Sequence, residues 1–200
     1  MIGNTTPKFQ GGFGLSGQWK NFDFTANFNY MVDFDVYNAT NYMLSSSISN
    51  TNNFYNVLAD FTQKNRWTYV RADGECLYKN TNIDGSVNEY ITMNAGKSLW
   101  NPADVEDKVT HSYFVEDGSF LRLQDVTIGY TLPSNLTKKW GMSKVRFYAS
   151  ASNLFILTGY SGYDPEVDVQ SGLTPSMDYN RYPRSRSFVS VSYTHLRAHE

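Results

Sequence analysis

One cysteine in 200 residues, Cys76, leaves no partner for an internal disulfide and excludes a cysteine-built metal cage. Charged residues make up 18% of the chain, below the usual ~25%, and the net charge is −2. That balance gives no electrostatic reason to expect nucleic acid. No stretch approaches the ~18 consecutive apolar residues of a transmembrane helix. The mean hydropathy of −0.47 does not exclude membrane-spanning strands, whose two faces average out. The amino terminus lacks the basic and apolar regions of a signal peptide. Catalytic patterns are scarce too. There is no phosphate-cradling glycine loop and no nucleophile–base pair. His111 stands alone, and His195 and His199 do not make a His-Glu-x-x-His motif.

What the chain has instead is alternation. From Phe9 to Trp19 the odd positions are apolar or glycine (Phe9, Phe13, Leu15, Trp19), and the even ones are polar or glycine. After Lys20-Asn21 the phase flips, and Phe22, Phe24, Ala26, Phe28, Tyr30, Val32, Phe34 and Val36 carry the apolar side. Period-2 alternation means extended strands with one apolar and one polar face. A two-residue hairpin loop at Lys20-Asn21, with Asn21 taking a positive φ, accounts for the flip. It predicts that Trp19 faces Phe22, Leu15 faces Ala26 and Phe13 faces Phe28, with Lys8 opposite Asp33. It also sets Gly17 and Gly11 opposite Phe24 and Tyr30, whose rings can cover bare backbone.

Length separates the kinds of hairpin. Residues 22–36 would extend roughly 50 Å at ~3.3 Å per residue, where a soluble strand has about 5–6 residues. A membrane strand needs only about 9–11. The pattern therefore fits an antiparallel transmembrane β-barrel with apolar positions outward. A soluble or surface-displayed β-rich module, carbohydrate-binding or adhesive, alternates as well and is the competing reading. An exported barrel without a leader implies that the chain is a fragment starting in mid-protein.

Between Asn38 and Thr110 the alternation collapses into a long loop rich in Asn, Ser and Thr. Phe54, Val57, Leu58 and Phe61 have helical spacing, which predicts a short helix at about 53–64. Trp67, Tyr69 and Trp100 in this loop either stack on a ligand or pack the loop on itself. Strand character returns at 119–132, where Pro133 ends the ladder. A connection at 134–143 has room for one helical turn, with Trp140 placed to anchor at the lipid–water boundary. A strand follows at 144–158, its phase blurred near Asn153 by a bulge. A second long loop, 159–183, precedes a last strand at 184–193. About five strands result.

Asp117-Gly118-Ser119-Phe120-Leu121-Arg122-Leu123-Gln124-Asp125-Val126-Thr127-Ile128-Gly129-Tyr130-Thr131-Leu132-Pro133 resembles a hallmark of the SusC/RagA family of TonB-linked outer-membrane proteins. So do Val145–Phe155, Thr158-Gly159-Tyr160-Ser161-Gly162-Tyr163-Asp164-Pro165-Glu166 and Tyr182-Pro183-Arg184-Ser185-Arg186-Ser187-Phe188. The likeness covers residues 5–190. It implies the carboxy-terminal part of a barrel of roughly 22 strands in a bacterial outer membrane. It also implies import of oligosaccharide or peptide, energy from the TonB complex, and a SusD-like surface lipoprotein as partner. The plug and TonB box would lie upstream. Outer-membrane lipid would meet the apolar face. With no catalytic constellation among the residues, neither enzyme activity nor a cofactor is expected.

Residues 1–190 thus read as receptor barrel, and residues 191–200 as a non-native tail, because Thr194-His195-Leu196-Arg197 breaks the alternation where a terminal aromatic is expected. Loop residues that could touch substrate or partner are Trp67, Trp100, Tyr160, Tyr163, Asp164 and Glu166. With Asp168, the carboxylates Asp164 and Glu166 suit a structural loop, a hard cation or acid–base work, in that order. Arg122 and Arg146 are expected to form salt bridges on the polar face.

Overall fold

The computed structural model describes residues 2–45, 56–61, 65–66, 68–70, 76–77, 91–93, 99–100, 102, 112–167 and 175–196. They fall into two compact units, residues 1–37 with 116–200, and residues 38–115. The first unit opens with β1 (Phe9–Trp19), β2 (Phe22–Val32) and most of β3 (Asp35–Asn38), and the second unit begins with the end of β3 and a helical turn, α1 (Ala39–Met43). In the second unit short strands β4 (Thr68–Val70), β5 (Cys76–Leu77) and β6 (Ile91–Met93) pair antiparallel in the order β5-β4-β6. The chain continues through β7 (Val115–Asp117), β8 (Phe120–Thr131), α2 (Ser134–Thr137), β9 (Met142–Thr158), β10 (Met177–Asp178) and β11 (Ser187–Leu196).

Five strands make the main sheet, in the order β1-β2-β8-β9-β11, every pair antiparallel. The first hairpin has the expected register throughout: Trp19 pairs with Phe22, Leu15 with Ala26 and Phe13 with Phe28. Phe13 and Phe28 stack with ring centroids 4.9 Å apart. Lys8 Nζ reaches Asp33 at 2.5 Å, as the register requires. The Phe24 and Tyr30 rings lie over Gly17 and Gly11, where a Cβ would come within 2.5 Å and 3.0 Å of them. The connection after β8 contains its helical turn, and Trp140 beyond it is exposed.

Four local expectations are corrected. In the hairpin turn it is Lys20, not Asn21, that takes the positive φ, at 54°. The second strand stops at Val32 rather than running to Val36, because Asp33 adopts φ 64°, a left-handed conformation that a short polar side chain tolerates and a pleated strand cannot use. Its amide is held by Ser119 Oγ, 2.9 Å away. Of the helix expected at 53–64, the described residues 56–61 form only a 3-10 turn at Ala59–Phe61; the remainder lies outside the described residues. The last strand starts later and runs further than 184–193, pairing with β9 to Leu196.

The bulge near Asn153 is present. Asn153 has φ 55°, and the β8–β9 register shifts between Leu123 and Asp125. A matching shift in the β2–β8 ladder places Gln124 out of register. These irregularities keep one apolar face continuous: Phe13, Phe28, Leu123 and Phe155 lie in one row across four strands, and Leu15, Ala26, Val126, Ala151 and Phe188 in another. Phe9, Trp19, Ile128, Leu157 and Phe188 on this face are each more than half exposed. Water would not stabilise so broad an apolar surface. Lipid would.

β11 departs from this arrangement. Its register sets Ser190 and Ser192 in line with Ala149 and Phe147 on the apolar face, and Val189, Val191 and Tyr193 beside Ser150, Tyr148 and Arg146 on the polar one. Backbone pairing is indifferent to side-chain identity, so residues 191–196 extend the ladder even though their pattern is reversed. Residues 191–196, the start of the expected tail, therefore lie inside a strand.

At one end of the sheet the polar face is covered. Phe34, Val36, Phe120, Tyr160 and Val167 form a buried cluster, with Met31 and Ile156 packed against it. Gly118 belongs to this packing. Its N–H donates to Phe34 O at 2.8 Å, and a Cβ there would stand 2.6 Å from Val36. This small core seats the loop that follows β9.

Candidate functional site

The loop that follows β9 is fixed by charge as well as by burial. Arg122, on the polar face of β8, is 3% exposed. Its Nη2 donates to Asp164 Oδ1 at 2.6 Å, and its Nε lies 3.3 Å from Glu166 Oε2. Glu166 Oε1 accepts from Arg184 Nη2 at 2.7 Å. The Glu166 N–H donates to Asp164 Oδ1 at 3.0 Å, closing a local turn. Two guanidiniums and two carboxylates thus join Phe120-Leu121-Arg122, Gly162-Tyr163-Asp164-Pro165-Glu166 and Tyr182-Pro183-Arg184. Three stretches that are separate motifs in the sequence meet in one clamp. Buried charges persist only when paired and hydrogen-bonded in this way.

Tyr160 provides the second anchor. Its hydroxyl donates to Asp178 Oδ2 at 2.8 Å. Burial, then the bond to Asp178 and the nearby Glu116 carboxylate, push its pKa well above the ordinary tyrosine range. Next to it the Ser161 N–H and hydroxyl both donate to Glu116, at 2.9 Å and 2.8 Å. This carboxylate fixes the loop on β7.

The six expected contact residues divide accordingly. Tyr160 is buried, and Asp164 and Glu166 are held in ion pairs. Tyr163 is 79% exposed. In the other unit Trp100 donates from Nε1 to Ser45 O at 3.1 Å and packs against Phe61, Tyr113 and Phe114 at centroid distances of 5.0, 5.5 and 5.8 Å. It packs the loop on itself. Trp67 and Asp168 lie outside the described residues. Among the described residues no group of three His, Cys, Asp or Glu side chains is arranged to hold a metal ion. The salt bridges expected of Arg122 and Arg146 are both present, the latter to Asp23 at 2.5 Å.

Two cavities adjoin the clamp and share Glu166, Val167 and Arg184. One, of about 380 Å³, is walled by Pro7, Met31, Phe34, Pro165 and Pro175 among others. The other, of about 200 Å³, adds Arg181 and Tyr182. Reading by motif missed Arg181. The available signal was three arginines within 181–186 with no acidic residue among them.

No protein-family model matches the chain. It is 32% identical over 195 residues to TonB-dependent receptor P3 of Formosa agariphila, a match covering 94% of this chain and 16% of that protein. TonB-dependent receptor P39 of the same organism is 26% identical over 191 residues, with the same two coverages. TonB-dependent receptor SusC of Bacteroides thetaiotaomicron is 42% identical over 79 residues, 38% of this chain and 7% of that protein. Among solved structures, the RagAB peptide importer in its open-open state superposes with a TM-score of 0.60 at 24% identity, covering 96% of this chain and 17% of that one. The closed-closed state gives 0.59 at 22% identity. The chain therefore spans about a sixth of the length of the relatives it matches along most of its length.

Proposed function

This chain is a piece of the β-barrel of an outer-membrane TonB-dependent receptor of the SusC/RagA family, and from that premise we propose that the whole protein is an active importer of oligosaccharides or peptides. It draws energy from the TonB complex through an upstream region, and a SusD-like lipoprotein binds over its loops. The observation that carries this reading is the exposed apolar face running unbroken over β1, β2, β8 and β9, opposite a polar face bearing the arginine clamp. One face suits lipid and the other a polar interior. A soluble carbohydrate-binding or adhesive module would need a second layer over Phe13, Phe24 and Ile128, which are all exposed.

The test uses the full-length gene. Deletion should abolish uptake of one fluorescent oligosaccharide or peptide pool, and the tagged protein should sediment with the outer membrane and pull down a surface lipoprotein. A tagged protein recovered in the soluble fraction would sink the reading.

A further inference from the structure

The apolar face ends in an aromatic row on the side of the short turns. Trp19, Phe22, Tyr130 and Phe147 are in register there, with the Phe22 and Tyr130 rings 4.5 Å apart. Aromatic side chains at such a margin sit at the lipid–water boundary. Just beyond the row lie the two short connections, Lys20-Asn21 and residues 133–141. They meet where the Thr131 N–H donates to Asn21 O at 2.8 Å. Val145 continues the apolar phase of Phe147 yet is buried, and α2 lies against β9. The connection after β8 therefore folds toward the lipid-facing side, with Leu136 and Trp140 exposed.

The charge at this rim has one sign. Lys20 Nζ stands 4.8 Å from the centre of the Trp19 ring, at the margin of the apolar face. Lys138 and Lys139 are exposed in the connection beside Trp140. No Asp or Glu occurs from Phe9 to Phe22 or from Val126 to Gly162. Asp23 and Asp125, which follow and precede these stretches, lie on the polar face and are engaged by Arg146 and Ser152. Lys144, in phase with Arg146, belongs to that face too. Among the described residues Lys20, Lys138 and Lys139 make no ion pair. Ammonium groups set beside exposed tryptophans complement a layer of anionic head groups over acyl chains.

We propose that this rim selects anionic phospholipid from the leaflet that meets the short turns. Lys20, Lys138 and Lys139 hold the phosphates, and Trp19 and Trp140 pack at the level of the glycerol. Short turns of such barrels face the periplasm, which assigns the lipid to the periplasmic leaflet. The inference rests on the barrel's place in the outer membrane and not on what it imports.

The experiment uses the full-length protein, cysteine-free apart from Asn135→Cys, labelled there with a small fluorophore and reconstituted in phosphatidylcholine vesicles. Phospholipids with a nitroxide near the top of the acyl chain quench the label when they sit beside it. Phosphatidylglycerol should associate at least ~fivefold more strongly than phosphatidylcholine, the equivalent of one lysine at an anionic surface. Lys20→Gln/Lys138→Gln/Lys139→Gln should remove the preference, and the three Lys→Arg changes together should keep it. Salt at about 0.5 M should shrink it in the unmodified protein, because the rim is exposed. Equal quenching by the two lipids overturns the proposal, as does quenching by neither, or a preference that survives the Gln changes or the salt. Lipid A that displaces the phosphatidylglycerol more effectively than unlabelled phosphatidylglycerol does would overturn the choice of leaflet. A protein that shows the preference but takes up neither oligosaccharide nor peptide removes the importer reading alone.

Discussion

Arg146 Nη2 and Asp23 Oδ2 lie 2.5 Å apart although their strands are not neighbours, because the bond passes over Gly129 on the strand between them. A Cβ at residue 129 would stand 2.7 Å from that nitrogen and from both Asp23 carboxylate oxygens. The absent side chain is what lets β2 and β9 interact across β8. The pair is about a third exposed, so its contribution is discounted to about 0.5–1 kcal/mol. A double-mutant cycle with Asp23→Ala and Arg146→Ala in the full-length protein should return a coupling of that size. In a Gly129→Ala background it should fall to near zero, while total stability changes little, since Ala regains strand propensity lost at Gly.

Breaking the clamp should cost more. Arg122 and Asp164 are both largely buried, and Arg122→Ala leaves Asp164 without its guanidinium. The expected loss is about 3–5 kcal/mol, read as a fall in the denaturation midpoint of the detergent-solubilised protein. Arg184→Ala acts on a half-exposed side chain and should cost about 1 kcal/mol or less. Equal effects of the two variants would show that the clamp does not depend on burial.

Tyr160 carries a pH signature. Its raised pKa means the folded state holds the phenolic proton more tightly than the unfolded chain does. That contribution is fully present below the ordinary tyrosine value near 10 and is lost as pH rises beyond it. Tyr160→Phe should destabilise by about 1–3 kcal/mol near neutrality, because the Asp178 carboxylate loses this donor. The gap between the variant and the unmodified protein should narrow above pH 10. A gap constant up to pH 11 would contradict the burial of this hydroxyl.

The reversed face of β11 gives a gain-of-stability test. Ser190 and Ser192 sit in line with Ala149 and Phe147 on the face assigned to lipid. Replacing both with Leu should raise the stability of the membrane-inserted protein, with an upper limit of about 1.5–3 kcal/mol per site for full burial. Leu at Thr25 or Thr127, which pair with each other on the polar face, should give no such gain. Thermal midpoints of the folded band in gel electrophoresis distinguish the two sets.

Much of the sheet was legible because strand alternation is a local code. Phe9–Trp19 and Phe22–Val32 state their faces residue by residue, and the two-residue loop between them fixes the register with no help from distant parts. The loops were less legible. Asp33 could continue the alternation or leave it, and the hydrogen bond from its amide to Ser119, 86 positions away, decided. Nothing near Asp164 in sequence says that its partner is Arg122 rather than a cation or a ligand. That assignment came from the strand register that carries Arg122 onto the polar face and from the small core that lowers the loop over it. The sequence alone determined which side of each long ribbon is apolar, since a two-residue period needs only neighbours. The tertiary structure decided which charges neutralise each other, because ion pairing depends on distance through space, which the order of residues along the chain does not specify.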